Sequence, residues 1–211
     1  MPIFSMDSKF TQAMNRLADL MLLNLLFLVT CLPVFTIGAA STALYSVTFR
    51  IGTDREEGIF RCYFRAFRDN FKQGTGLFLA LFLPGVLLLV CLFLSTALGG
   101  ALRYLSLAYI PLLLLLAFVY SYAFPLLSQF YGTVKLTLKN ALLLSIGYFP
   151  RTVVMVVLNL LPLALFYAQT MFFFQVGILW LLLYFSAASY LNAQLLRKIF
   201  APYQPSEEDA P

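Results

Sequence analysis

Histidine is absent from this chain of 211 residues. That removes the commonest general base and metal ligand, and with it any Ser/His or Cys/His pairing for nucleophilic catalysis. Cysteine is scarce. Cys31, Cys62 and Cys91 are scattered without ligand spacing and read as small apolar packing residues. Charge is thin as well: Asp, Glu, Lys and Arg make up 11% of the chain, where an ordinary globular protein has about 25%. No pair of carboxylates falls within an apolar run, and no glycine-rich loop carries the lysine of a phosphate cradle. The chain is therefore expected not to be an enzyme, with no catalytic, cofactor-binding or metal-ligating residue and no cofactor.

What is abundant is apolar surface. Hydrophobic residues make up 62% of the sequence, mean hydropathy is +0.88, and 22 Phe and 12 Tyr suit a bilayer with aromatic interfaces. This predicts an all-α, polytopic membrane bundle of about six transmembrane helices, the second one short, with amphipathic helices on the cytoplasmic side. The net charge of +5 is not a nucleic-acid signal, because the basic residues sit beside apolar runs and no soluble basic face accompanies them. The expected partner is the lipid bilayer, not nucleic acid.

Residues 1–16 read as a polar cytoplasmic lead-in, 17–198 as one integral membrane domain, and 199–211 as a cytoplasmic, disordered tail rich in Pro, Ser and acids. The first apolar run, Leu17–Phe35, contains Asp19 and Asn24 and is long for a signal peptide, so it reads as a retained helix. Arg50, Arg55, Arg61, Arg65, Arg68 and Lys72 then form a basic stretch that belongs in the cytoplasm with Lys9 and Arg16. The chain must return between them. The segment 38–51 is the only candidate, about 20 Å long against about 30 Å of hydrocarbon. Ile59–Gln73 places Phe60, Tyr63, Phe64, Phe67 and Phe71 on one helical face and Arg61, Arg65, Arg68 and Lys72 on another. Such a helix lies in the membrane surface, or offers a docking face to a cytoplasmic partner.

Further spans are expected at Thr75–Leu98, Leu105–Gln129, Thr152–Ala168 and Val176–Leu196, with a helix at Tyr131–Ile146 and an outer turn at Gln169–Gln175. On this layout every Lys and Arg except Arg103 is cytoplasmic, and so are both termini. Asn70-Phe71 to Pro84 aligns without a gap on Tyr148-Phe149 to Pro162, with few identities. A parallel repeat or chance would produce that.

The stretch LNLLFLVTCLPVFTIGAASTALY (Leu23–Tyr45), the basic-aromatic YFRAFRDNFKQGT (Tyr63–Thr75) and LTLKNALLLSIGYFPRT (Leu136–Thr152) resemble the YesL-like family of bacterial membrane proteins. The resemblance runs from about Asn15 to Arg197. It implies an integral protein of the bacterial cytoplasmic membrane, encoded in many cases beside carbohydrate import and sensing systems. It carries over no activity, and no catalytic or ligand-binding residue.

Polar residues inside spans are the functional candidates in a membrane. Asp19 is an interfacial charge within reach of Asn15 and Arg16, or a proton-carrying site. Asn24, Asn159 and Asn192 read as amides that hold helices together, with Asn159 and Asn192 as partners of Asn24 or of each other. Gly38, Ala39 and Ala43 read as a small-residue packing face. The expected function is that of an accessory or structural subunit of a bacterial carbohydrate uptake system of the ABC type. A stand-alone small-solute transporter or channel is the alternative.

Overall fold

The computed structural model describes residues 9–51, 58–130, 132–168, 177 and 180–203. Within them every regular element is helical. The helices are α1 (Lys9–Thr30), α2 (Ile37–Thr48), α3 (Ile59–Asp69), α4 (Phe71–Leu98), α5 (Ser106–Gln129), α6 (Val134–Gly147), α7 (Phe149–Ala168) and α8 (Phe185–Phe200). A 3-10 turn, Val34–Thr36, leads into α2, and a π turn, Trp180–Tyr184, leads into α8. The expected outer turn at 169–175, Arg55 and the tail from residue 204 onward lie outside the described residues.

Among the described residues three helices are long and apolar enough to cross a membrane: α1 over Phe10–Thr30, α4 and α5. A fourth is reached if α6 and Phe149–Leu161 of α7, bent by 108° between them, count as one broken span. The expected sixth span, Val176–Leu196, is only partly among the described residues. The second helix is short as expected: α2 has 12 residues, about 18 Å of helix. Apolar side chains on the outside fit a lipid solvent: Leu83, Leu87, Phe93, Leu98 and Leu107 are all more than 60% exposed.

Two boundaries differ from the sequence expectation. The first apolar run does not continue to Phe35. Pro33 disfavours helical geometry at Leu32, and α1 stops at Thr30. Thr36 then ties the corner, its hydroxyl donating to the carbonyls of Thr30 and Pro33, both at 2.6 Å. Ile59–Gln73 is not a single helix either. It breaks at Asn70, and Phe71 already belongs to α4.

The short α2 is the hub. Every residue from Gly38 to Thr48 is buried, because the run of Gly, Ala, Ser and Thr lets neighbouring backbones come close on all sides. Gly38 meets Gly74 and Phe78 of α4, and Ala39 packs on Gly74. Ala43 shares a buried cluster with Leu23, Leu26 and Phe27 of α1. Helices α2, α5 and α8 run side by side in one direction. Tyr120 bonds Ser41 near the start of α2, and Asn192 and then Arg197 of α8 follow Tyr45 and then Phe49. All three finish at one level, where Phe200 packs against Phe49 (centroids 6.0 Å apart) and Phe130 (5.4 Å). Arg50, Arg197 and Lys198 cluster here, which makes it the basic end of the bundle.

The weak repeat has a structural counterpart. Asn70 separates α3 from α4, and its aligned partner Tyr148 separates α6 from α7. Gly74, which touches α2, aligns with Thr152, whose hydroxyl bonds Tyr122 of α5 at 3.0 Å. Each short helix thus precedes a long one that packs on the descending helix before it.

Candidate functional site

Polar groups in the bundle are arranged in two places, a buried spine and a cavity at the basic end. The spine is built on α8. Asn192, fully buried, donates through its amide to the Tyr45 hydroxyl of α2 (3.2 Å) and to Asn159 Oδ1 of α7 (3.0 Å). Asn159 in turn donates to the Ser121 hydroxyl of α5 at 3.4 Å. Four helices are therefore joined through two amides. The Asn192 carbonyl oxygen has no partner. Asn24 stands apart from this chain. Its Oδ1 accepts the Ser186 N–H at 3.0 Å, in the first turn of α8 just after the wide π turn.

Amide bonds between membrane helices contribute about 0.6 kcal/mol on average. Asn192→Leu removes two donors and one orphan acceptor, so a loss of about 1–2 kcal/mol is expected. Unfolding of the purified protein in mixed micelles measures it. The double variant with Asn159→Leu should lose less than the sum of the single changes, because the two side chains share one bond.

Asp19 is elsewhere. It is half-exposed on the outer helix α1, with Asn15 and Arg16 exposed nearby, and the spine does not include it. Gly38, Ala39 and Ala43 are together in the wall of α2, as contact surface.

Arg61, Arg65, Arg68 and Lys72 are all exposed. The helix that carries the first three is nonetheless anchored. Cys62, Tyr63 and Ala66 of α3 are buried against α1 and α2. The Tyr63 and Thr30 hydroxyls bond at 2.6 Å, and burial raises the phenol above its ordinary pKa and keeps it neutral. The aromatic face is thus divided: Tyr63 goes inward, while Phe60 and Phe64 pair outside, 4.7 Å between centroids. The amphipathic helix is thus docked on the bundle through its inner face, with its basic residues on the outside.

Beside α3 a cavity of about 550 Å3 separates α2, the start of α4 and the end of α5. Arg50, Arg65, Asp69, Asn70, Gln73 and Gln129 line it. Of these only Arg65 stands out in the sequence as a candidate. The others come from four separate segments that only the packing brings together. Among the described residues no three Cys, Asp or Glu side chains gather as a metal site would need.

Residues 20–92 match the family model described as "Protein of unknown function, DUF624". The matched segment takes in the second half of α1, all of α2 and α3 and most of α4, so it contains the Gly38–Gly74 contact and the docked basic helix. No curated protein and no solved structure matches the chain. The family description supplies no activity.

Proposed function

We propose that this is a non-enzymatic, multi-pass protein of the bacterial cytoplasmic membrane that works as an accessory or structural subunit beside a carbohydrate uptake system of the ABC type. The observation that carries the assembly role is α3. Its inner face is bolted to the bundle through Tyr63, while Phe60, Phe64, Arg61 and Arg68 face outward. A rigid basic-aromatic face costs little entropy to dock, which favours binding to a partner's acidic surface. The carbohydrate system comes from the YesL-like resemblance alone. The basic end is taken as cytoplasmic because Lys and Arg gather on that side of bacterial membranes, which puts the C-terminus inside, and Lys9 and Arg16 place the N-terminus there by the same rule.

Purification of the full chain in mild detergent, with identification of the co-eluting proteins, tests this. A transporter component should co-elute in stoichiometric amount. Arg61→Glu with Arg68→Glu and Lys72→Glu should lower its recovery about tenfold, the equivalent of about 1.4 kcal/mol. A lone monomer from native membranes would count against the assembly role.

A further inference from the structure

The cavity at the basic end has walls that the fold alone does not require. The related space on the other side of the Phe130–Phe200 contact, about 390 Å3, is lined almost entirely by apolar side chains such as Leu126, Leu143 and Leu144, with Asn140 the one carboxamide. The larger cavity instead has two arginines, a carboxylate and three carboxamides, and Ser46 and Ser128 add hydroxyls. At about 550 Å3 it falls in the range of small-ligand sites.

Two independent features favour an anion. Arg50, at the end of α2, and Arg65, on α3, face the same space, and guanidinium forks match phosphate oxygens. Arg50 is steadied by Cys62, whose Sγ lies 3.1 Å from its Nη1. The second feature is the start of α4. This helix of 28 residues has no side-chain cap. Asn70, at the cap position, sends its amide back to the Ala66 carbonyl at 3.0 Å. The first turn of α4 therefore borders the cavity through Gln73, with Asn70 shared between it and the last turn of α3. The remaining groups suit a hydroxylated body: Asp69 accepts, while Gln73 and Gln129 both donate and accept.

We propose that this cavity binds the phosphate ester of a small polyol. The phosphate lies against Arg50, Arg65 and the start of α4, and the hydroxyls lie against Asp69, Gln73 and Gln129. A lipid glycerophosphate headgroup and a soluble polyol phosphate present the same chemistry. The site stands independently of the assembly role, since Arg61, Arg68 and Lys72 do not line it.

The test uses the full chain in phosphatidylcholine nanodiscs. One arm titrates glycerol 3-phosphate, with inorganic phosphate and glycerol as the two half-ligands. The other replaces part of the lipid by phosphatidylglycerol and counts retained lipids by native mass spectrometry. Saturable binding of one glycerol 3-phosphate per chain identifies a soluble ligand, and one phosphatidylglycerol held against excess phosphatidylcholine identifies a lipid. In either case Arg65→Gln and Gln73→Leu should weaken binding about tenfold or more, and Arg68→Gln should leave it unchanged. Melting temperature reports whether each variant folds. Should Arg65→Gln unfold the protein, Gln73→Leu decides, because that side chain is exposed on the wall. Absence of one-to-one binding in both arms overturns the proposal. So does equal weakening by Arg65→Gln and Arg68→Gln, or full binding by folded Gln73→Leu.

Discussion

Gly38→Val is expected to leave no stable folded protein. A Cβ at position 38 would sit 2.0 Å from the Gly74 carbonyl oxygen, 2.7 Å from its carbon and 2.6 Å from the Phe78 Cβ. Two of these atoms are backbone, so no rotamer change relieves the clash and α2 and α4 must separate. Overpacking a core costs about 1–3 kcal/mol when side chains can shift. Here the hub helix itself is displaced, and the loss should exceed that range, a large part of the roughly 5–15 kcal/mol of a typical domain. Gly74→Val should behave alike, since its added carbon would lie 2.8 Å from the Ala39 Cα. Gly76→Ala is the control, with its nearest neighbour, the Val134 Cγ2, at an ordinary 3.7 Å. It should be neutral or stabilise α4 by up to about 1 kcal/mol. Thermal unfolding in detergent separates the three.

Tyr63→Ala should detach α3 from the bundle. The side chain is fully buried, and its ring stacks near-parallel on Phe67 at 6.4 Å between centroids. Emptying such a site costs about 3–5 kcal/mol. Tyr63→Phe keeps the ring and loses only the bond to Thr30, whose hydroxyl still donates to the carbonyls of Leu26 and Phe27. About 1 kcal/mol is expected. Limited trypsinolysis distinguishes the variants, because Arg61, Arg65 and Arg68 become cleavable only when α3 opens. Rapid cutting in Tyr63→Ala and near-normal resistance in Tyr63→Phe are the expected results. Equal resistance in both would mean that α3 is held by something other than this tyrosine. The docking face proposed for a partner would then rest on a different anchor.

The two changes bear on different parts of the assembly. Gly38 governs whether a helix of only 12 residues can stand at the centre of those around it. Tyr63 governs whether the basic face is presented rigidly. A variant that loses the partner while retaining the fold would separate docking from stability, and the charge reversals on α3 are suited to that, being exposed.

The helical class, the apolar exterior and most helix positions are legible along the chain. Composition and periodicity are local properties, and they report how a segment meets lipid or water. The brevity of the return segment at 38–51 is legible too, since length follows directly from residue count. Tertiary structure alone decided the rest. Tyr63 has the same helical phase as Phe60 and Phe64, so periodicity could not tell which ring would be buried; the position of Thr30 on α1 did. Asn159 and Asn192 could pair with Asn24 or with each other, and the approach of α7 and α8 decided for the second. Arg50, Asp69, Gln73 and Gln129 share a cavity because α2, α3, α4 and α5 converge there. Contacts between distant segments depend on how closely helices approach, and in this protein that distance is controlled by two glycines, where the absence of a side chain lets two backbones touch.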